Sequence, residues 1–216
     1  MFSPIASLRP SRPQLLLAGL LAAVACALMF AGSAHAALIS TDPCDGSTLT
    51  QPFLPWSDSN QYKLVPGSDF NGSAPGWTLT RGAKLVPGGE PFGVTGHVSS
   101  SSLYLPAGGT AQSPFTCVDA AYPMFRLFAK NNSLLSTVAV SVVYDEPLLG
   151  QTAIPVGVIA LTPKWAPTAQ FLTASVVQGL VTGLVSGSDP QVALRFTAVT
   201  GSSQIDDVYV DPHMFH

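Results

Sequence analysis

The chain has 216 residues, a formal net charge of −3 and 10% charged side chains. So light and acidic a balance excludes a basic nucleic-acid-binding surface. A 47% hydrophobic content punctuated by 19 glycines and 19 prolines points to a packed, turn-rich domain.

The first residues read as a targeting segment. Arg9 and Arg12 precede an apolar run, Leu15–Phe30, and "AGSAHA" follows with Ala34 and Ala36 in small-x-small spacing. This predicts a secretory signal peptide over 1–36. The apolar run is shorter than the roughly 20 residues a spanning helix needs. The expectation is a secreted protein, extracellular or at the cell surface, with no membrane span after cleavage. Cys44 and Cys117 then remain, and an even pair in an exported chain predicts a disulfide. Two free buried thiols are the alternative. The bridge would tie an N-terminal segment, 37–60, to the middle of a domain over 61–212, with 213–216 as a C-terminal tail.

Strand signals follow one another at short intervals. They run through Gln61–Val65, Gly76–Thr80, Ala83–Val86, Ser101–Pro106, Thr110–Val118, Tyr122–Asn131 and Ser136–Glu146. Thr152–Leu161 follows, and its Pro155 marks an edge strand or a bulge. Ala166–Thr173 reads as extended. Ser175–Val185 is ambiguous, because Gly179 and Gly183 weaken a helix. Gln191–Val199 and Ser203–Val210 complete the series. Nine or ten strands with Gly/Pro turns predict an all-β protein, an antiparallel two-sheet β-sandwich.

Alternation assigns faces. Phe125, Leu127 and Ala129 share one face, with Arg126, Phe128 and Lys130 opposite. Val192, Leu194 and Phe196 share one face, with Arg195 opposite. Each strand thus has an apolar side and a side with a central arginine, which predicts one wet, ligand-facing sheet surface. In "SQIDDVYVDP", Asp206 falls with Val208 and Val210. Asp207, Tyr209 and Asp211 form an outer polar stripe. Two adjacent acids pointing to opposite faces cannot act as the paired carboxylates of a glycosidase. There is no G-x-S-x-G, H-E-x-x-H or phosphate-binding loop. His213 and His216 sit in the tail.

"DFNGSAPGWTL" at one end and Ile205-Asp206-Asp207-Val208 at the other resemble the landmarks of carbohydrate-binding-module-like jelly rolls with the galactose-binding-domain fold. "FLPW", "DF", "GW" and "QIDDVYVDP" also resemble a group of exported actinobacterial proteins of unknown function. The first resemblance implies a jelly roll and a structural calcium joining the N-terminal element to the last strand. It carries onto Asp206 as an acidic ligand and onto Asn71, where a glutamate is usual; an amide oxygen also ligates calcium. Trp77 is expected in the core. The function implied is a secreted, non-catalytic binding module for carbohydrate or cell-envelope material, needing no cofactor beyond that calcium. A structural or adhesive surface protein with a protein partner is the second reading. Arg126 and Arg195 are the candidate hydrogen-bonding residues, with Trp165 and Tyr144 as aromatic platforms.

Overall fold

The computed structural model describes residues 46–117, 124–146, 150–172 and 191–211. The signal peptide, Cys44, the side chain of Cys117, the Ser175–Val185 segment and the tail lie outside the described residues. No helix among those described is long and apolar enough to cross a membrane.

Strands are numbered in chain order. One sheet contains β1 (Lys63–Leu64), β3 (Lys84–Pro87), β4 (Ser101–Leu105), β7 (Met124–Asn131), β10 (Ala166–Pro167), β11 (Phe171–Leu172) and β13 (Ser203–Asp211). The other contains β2 (Thr78–Thr80), β5 (Thr110–Gln112), β6 (Thr116–Cys117), β8 (Thr137–Glu146), β9 (Gly150–Ala160) and β12 (Gln191–Thr200). All pairings are antiparallel. The chain passes repeatedly from one sheet to the other, as from β4 to β5, β7 to β8 and β12 to β13. The result is a two-sheet sandwich of jelly-roll type.

The core forms where the inner faces meet. Phe125, Leu127 and Ala129 of β7 meet Val192, Leu194 and Phe196 of β12 there, as alternation predicts. Trp77 joins them, stacked on Phe196 at 6.2 Å and edge-on to Phe70 at 5.0 Å. Its indole N–H donates to the Pro66 carbonyl at 3.0 Å, which satisfies the ring's one polar atom. Pro155 lies on β9, the outermost strand of its sheet, beside a register shift opposite Val140 and Ser141. An edge and a bulge are where a strand tolerates proline.

The outer face of β7 is not the wet surface expected. Residues 50–62 fold across it, closed at their base by a Thr50–Tyr62 bridge and turned by a 3-10 helix, Leu54–Trp56. Phe53 sits at the centre of this cover. Its ring lies 5.3 Å from Phe128, 5.0 Å from Tyr62 and 5.5 Å from Tyr209. The Arg126 guanidinium lies 4.3 Å from the same ring. A second small core therefore backs the sheet, separate from the one between the sheets.

β13 departs from simple alternation. Asp206 pairs with Phe128 and Tyr209 with Arg126, so Asp207 and Val208 together stand opposite Leu127. Asp207 occupies the left-handed region at φ 45°, which Asp tolerates better than most residues. Ser68 satisfies the bulge: its carbonyl accepts Asp207 N–H at 2.9 Å and its hydroxyl accepts Val208 N–H at 3.2 Å.

Replacing Phe53 with Ala empties the centre of the cover, and denaturant unfolding is expected to show a loss of about 3–5 kcal/mol. A loss below about 1 kcal/mol would show that residues 50–62 are not part of the cooperative fold.

Candidate functional site

The cover creates a polar pocket at its end. Ser57 adopts φ 61° and stops the 3-10 turn, its N–H donating to Leu54 O at 3.0 Å. The following residues, through Asn60, descend beside β7. Ser57, Asp58, Ser59 and Asn60 form one wall, and Arg126 with Gln170 forms the other, around about 520 Å³.

Asp58 is the hub. One carboxylate oxygen accepts from Tyr62 Oη at 2.7 Å, from Gln170 Nε2 at 3.1 Å and from the Arg126 guanidinium. The other accepts Asn60 N–H at 3.1 Å. Burial works to raise the Asp58 pKa, but the bonds from Tyr62, Arg126, Asn60 and Gln170 hold it below its usual value. Burial and the Asp58 acceptor push the Tyr62 phenol up, so it remains a donor. Arg126 Nε donates to Thr168 O at 2.9 Å, and only 8% of the residue is exposed. The fork is thus fixed on two sides before any ligand arrives.

The other candidates fall in different places. Arg195 lies on the opposite outer face, on β12, where Nε and a terminal nitrogen donate to Gln112 Oε1 at 3.0 and 2.7 Å. The two arginines sit on different sheets and form no common surface. Tyr144 is buried in the main core, on the side of Val138, Val140 and Val142, and is no platform. Trp165 is half-buried against the second core, with Lys130 Nζ 5.1 Å from its ring, on the same side of the sandwich as Arg126. Asn71 is exposed; its amide oxygen accepts Ser100 N–H at 3.3 Å and its nitrogen lies 3.4 Å from His97 Nε2.

Asp206 shares its surroundings with Glu90, Asp207 and Asp69. Asp207, Tyr209 and Asp211 are all buried rather than an outer polar stripe, and Asp206, paired with Phe128, falls on the side of the second core and not with Val208 and Val210. Asp206 accepts Glu90 N–H at 2.8 Å and Asp207 N–H at 3.0 Å. Glu90 accepts Gly93 N–H at 2.8 Å and Val94 N–H at 3.3 Å. Among the described residues, neither Asp207 oxygen has a hydrogen-bond donor. Burial, then the charges of Asp206 and Glu90, push the Asp207 pKa up to about 9. Burial pushes Asp206 to about 8, against the two backbone N–H bonds that lower it. The Asp207 carboxyl lies against that of Glu90, a contact that favours its protonated form. A proton or a hard cation between them satisfies the same need. A Cβ on Gly89 would stand 2.5 Å from an Asp206 oxygen, so only glycine leaves that carboxylate its place. The oxygen-only donor set suits calcium chemically. Among the described residues, however, no three His, Cys, Asp or Glu side chains are arranged to hold a metal ion.

Sequence reasoning missed Asp58, Asn60, Gln170 and Glu90. The polar run "SDSN" beside "FLPW" is a signal for the first two. A lone glutamate between Gly-Gly and Pro is one for Glu90.

The pH dependence follows from the two raised values. Folding takes up protons at Asp206 and Asp207 between their unfolded pKa near 3.8 and their folded values of about 8 and 9. Their contribution is intact below about pH 4 and is lost progressively as pH rises through the folded values. In chelator, the melting temperature is expected to fall by roughly 5 °C or more between about pH 5.5 and 9. Asp207→Asn should flatten that slope; an unchanged slope would place the titration elsewhere.

No protein-family model and no curated protein matches the chain. Among solved structures it is similar to carbohydrate-binding modules. One is the CBM22-1–GH10 part of Clostridium thermocellum endo-1,4-β-D-xylanase 10B complexed with xylohexaose, at 15% identity and a TM-score of 0.46 over 68% of this chain. The chain spans 28% of that structure's length. Another is the CBM22-1 xylan-binding domain of Paenibacillus barcinonensis Xyn10C, at 12% identity and a TM-score of 0.48, covering 72% of this chain and 97% of that one. A lysine-to-alanine mutant of a family 29 carbohydrate-binding module, CBM29-2, aligns at 11% identity with a TM-score of 0.41 over 68% and 89% of the two chains.

Proposed function

We propose that the chain is an exported, non-catalytic carbohydrate-binding module whose ligand is a glycan or cell-envelope polymer. The observation that carries this reading is the pocket at Arg126. Its described lining is entirely hydrogen-bonding: two hydroxyls, two amides, one carboxylate and one guanidinium. Sugars present donors and acceptors at high density, and a fixed polar array recognises them without reorganisation. Trp165, on the same side of the sandwich, is the aromatic that a longer ligand would meet. Structural calcium at Asp206 and Asp207 is the second part of the proposal. The buried Asp207 carboxylate, which has no hydrogen-bond donor among the described residues, supports it. The exposed pair Leu134 and Leu135 favours a protein-contact reading, but two side chains are far below the roughly 800 Å² per partner of a stable interface.

Retention on insoluble xylan, cellulose and purified cell-wall material tests the binding. At least one should retain the protein. Asn60→Ala and Gln170→Ala should each weaken that retention about tenfold or less, the value of one or two hydrogen bonds, with an unchanged melting temperature. No retention on any polymer, or retention indifferent to both variants, overturns this assignment. Calcium should raise the melting temperature near pH 8 in the parent and not in Asp207→Asn.

A further inference from the structure

We infer that the Arg126 pocket selects neutral sugars and excludes charged ones, and that Asp58 is the residue that sets this selectivity. The inference rests on the carbohydrate-binding reading and adds to it the chemical class of the ligand.

The charge balance of the lining motivates it. Asp58 and Arg126 are the ionisable residues that line the pocket, and they are bonded directly to each other. The remaining lining residues, Ser57, Ser59, Asn60 and Gln170, are uncharged. The pocket therefore carries one charge of each sign and no net charge. An arginine that recognises a carboxylate or sulfate presents an uncompensated fork. Here the fork is already occupied on two edges, by Asp58 and by the Thr168 carbonyl. An incoming anion would meet Asp58 within the same site and lose as much as it gained. An amino sugar would meet Arg126 in the same way.

What remains available suits hydroxyl groups. Gln170 Nε2 is used on Asp58 and on Tyr62 Oη at 3.2 Å, which leaves its carbonyl oxygen as an acceptor. The Asn60 side-chain amide and the Ser57 and Ser59 hydroxyls make no hydrogen bond among the described residues. Donors and acceptors stand side by side there, and a hydroxyl is both at once. The hub that holds them is rigid: Asp58 takes its bonds from three side chains and one backbone N–H.

The test changes the charge and keeps the shape. Full-length protein, parent and Asp58→Asn, is titrated with paired neutral and uronic-acid oligosaccharides of equal length, such as xylo- and galacturono-oligosaccharides. The parent should prefer the neutral member by about tenfold or more, with little dependence on salt. Asp58→Asn leaves Arg126 uncompensated and should gain affinity for the uronate by about tenfold, in a salt-sensitive manner. Because that variant also weakens a buried ion pair, Asp58→Asn/Arg126→Gln serves as the second variant. It is neutral again and should lose the gained uronate binding. A parent that binds uronates as well as neutral sugars, or an Asp58→Asn protein with unchanged preference, overturns the inference while leaving carbohydrate binding intact. Failure of every oligosaccharide to bind overturns both.

Discussion

The extra residue in β13 is the constraint from which the rest of this side of the molecule follows. Two residues, Asp207 and Val208, stand where one would complete the pairing with Leu127. Before the bulge Ile205 faces the core, and after it Val208 and Val210 do. Were the same sequence to run on from Ile205 without a bulge, the valines would turn outward and the sheet would expose an apolar stripe. With it, both halves of the strand bury their hydrophobic side, and Asp206 and Asp207 both lie beside Glu90. Ser68 closes the backbone there, so the bulge is hydrogen-bonded rather than merely tolerated.

A chain of contacts links the acids to the pocket. Glu90 bonds the backbone of the residues that follow it, and this orders Phe92. Phe92 packs edge-on against Trp56 at 4.9 Å and tilted against Phe128 at 5.5 Å. Trp56 is the last residue of the turn that leads into Ser57 and Asp58. One wall of the pocket therefore hangs from an aromatic cluster that is itself braced by a carboxylate.

The two-sheet sandwich was readable because a period of two survives in β7, β8 and β12, where alternate residues are Val, Leu or Phe. The same parity places Tyr144 with Val138, Val140 and Val142, so its burial was legible in the sequence even though its ring suggested a platform. The β13 bulge was not legible: "QIDDVYV" reads as an unbroken strand in the text, and only the pairing with β7 shows that a residue is added. The pocket was half legible. Arg126 stood out as a cation on a strand, but its partner Asp58 is 68 positions away, and no local pattern joins them. The cover over β7 was hidden for a similar reason: Phe53 lies outside every strand signal, and nothing local joins it to Phe128 or Tyr209.

The position of β13 also bears on how the chain acquires its structure. Among the described residues it is the last strand in sequence, and it is the middle one of its sheet, flanked by β7 and β4 and extended by β1. A central strand that arrives last leaves the strands on either side of it unjoined until it is present. β1 meets its partner only across nearly the whole domain, as Lys63 opposite Val210 shows. Such non-local pairing is slow to form, because a long loop must close before any contact rewards it. A chain that emerges N-terminus first would therefore leave this sheet open along its middle until Ser203–Asp211 is free, while the other sheet needs no part of β13 to pair.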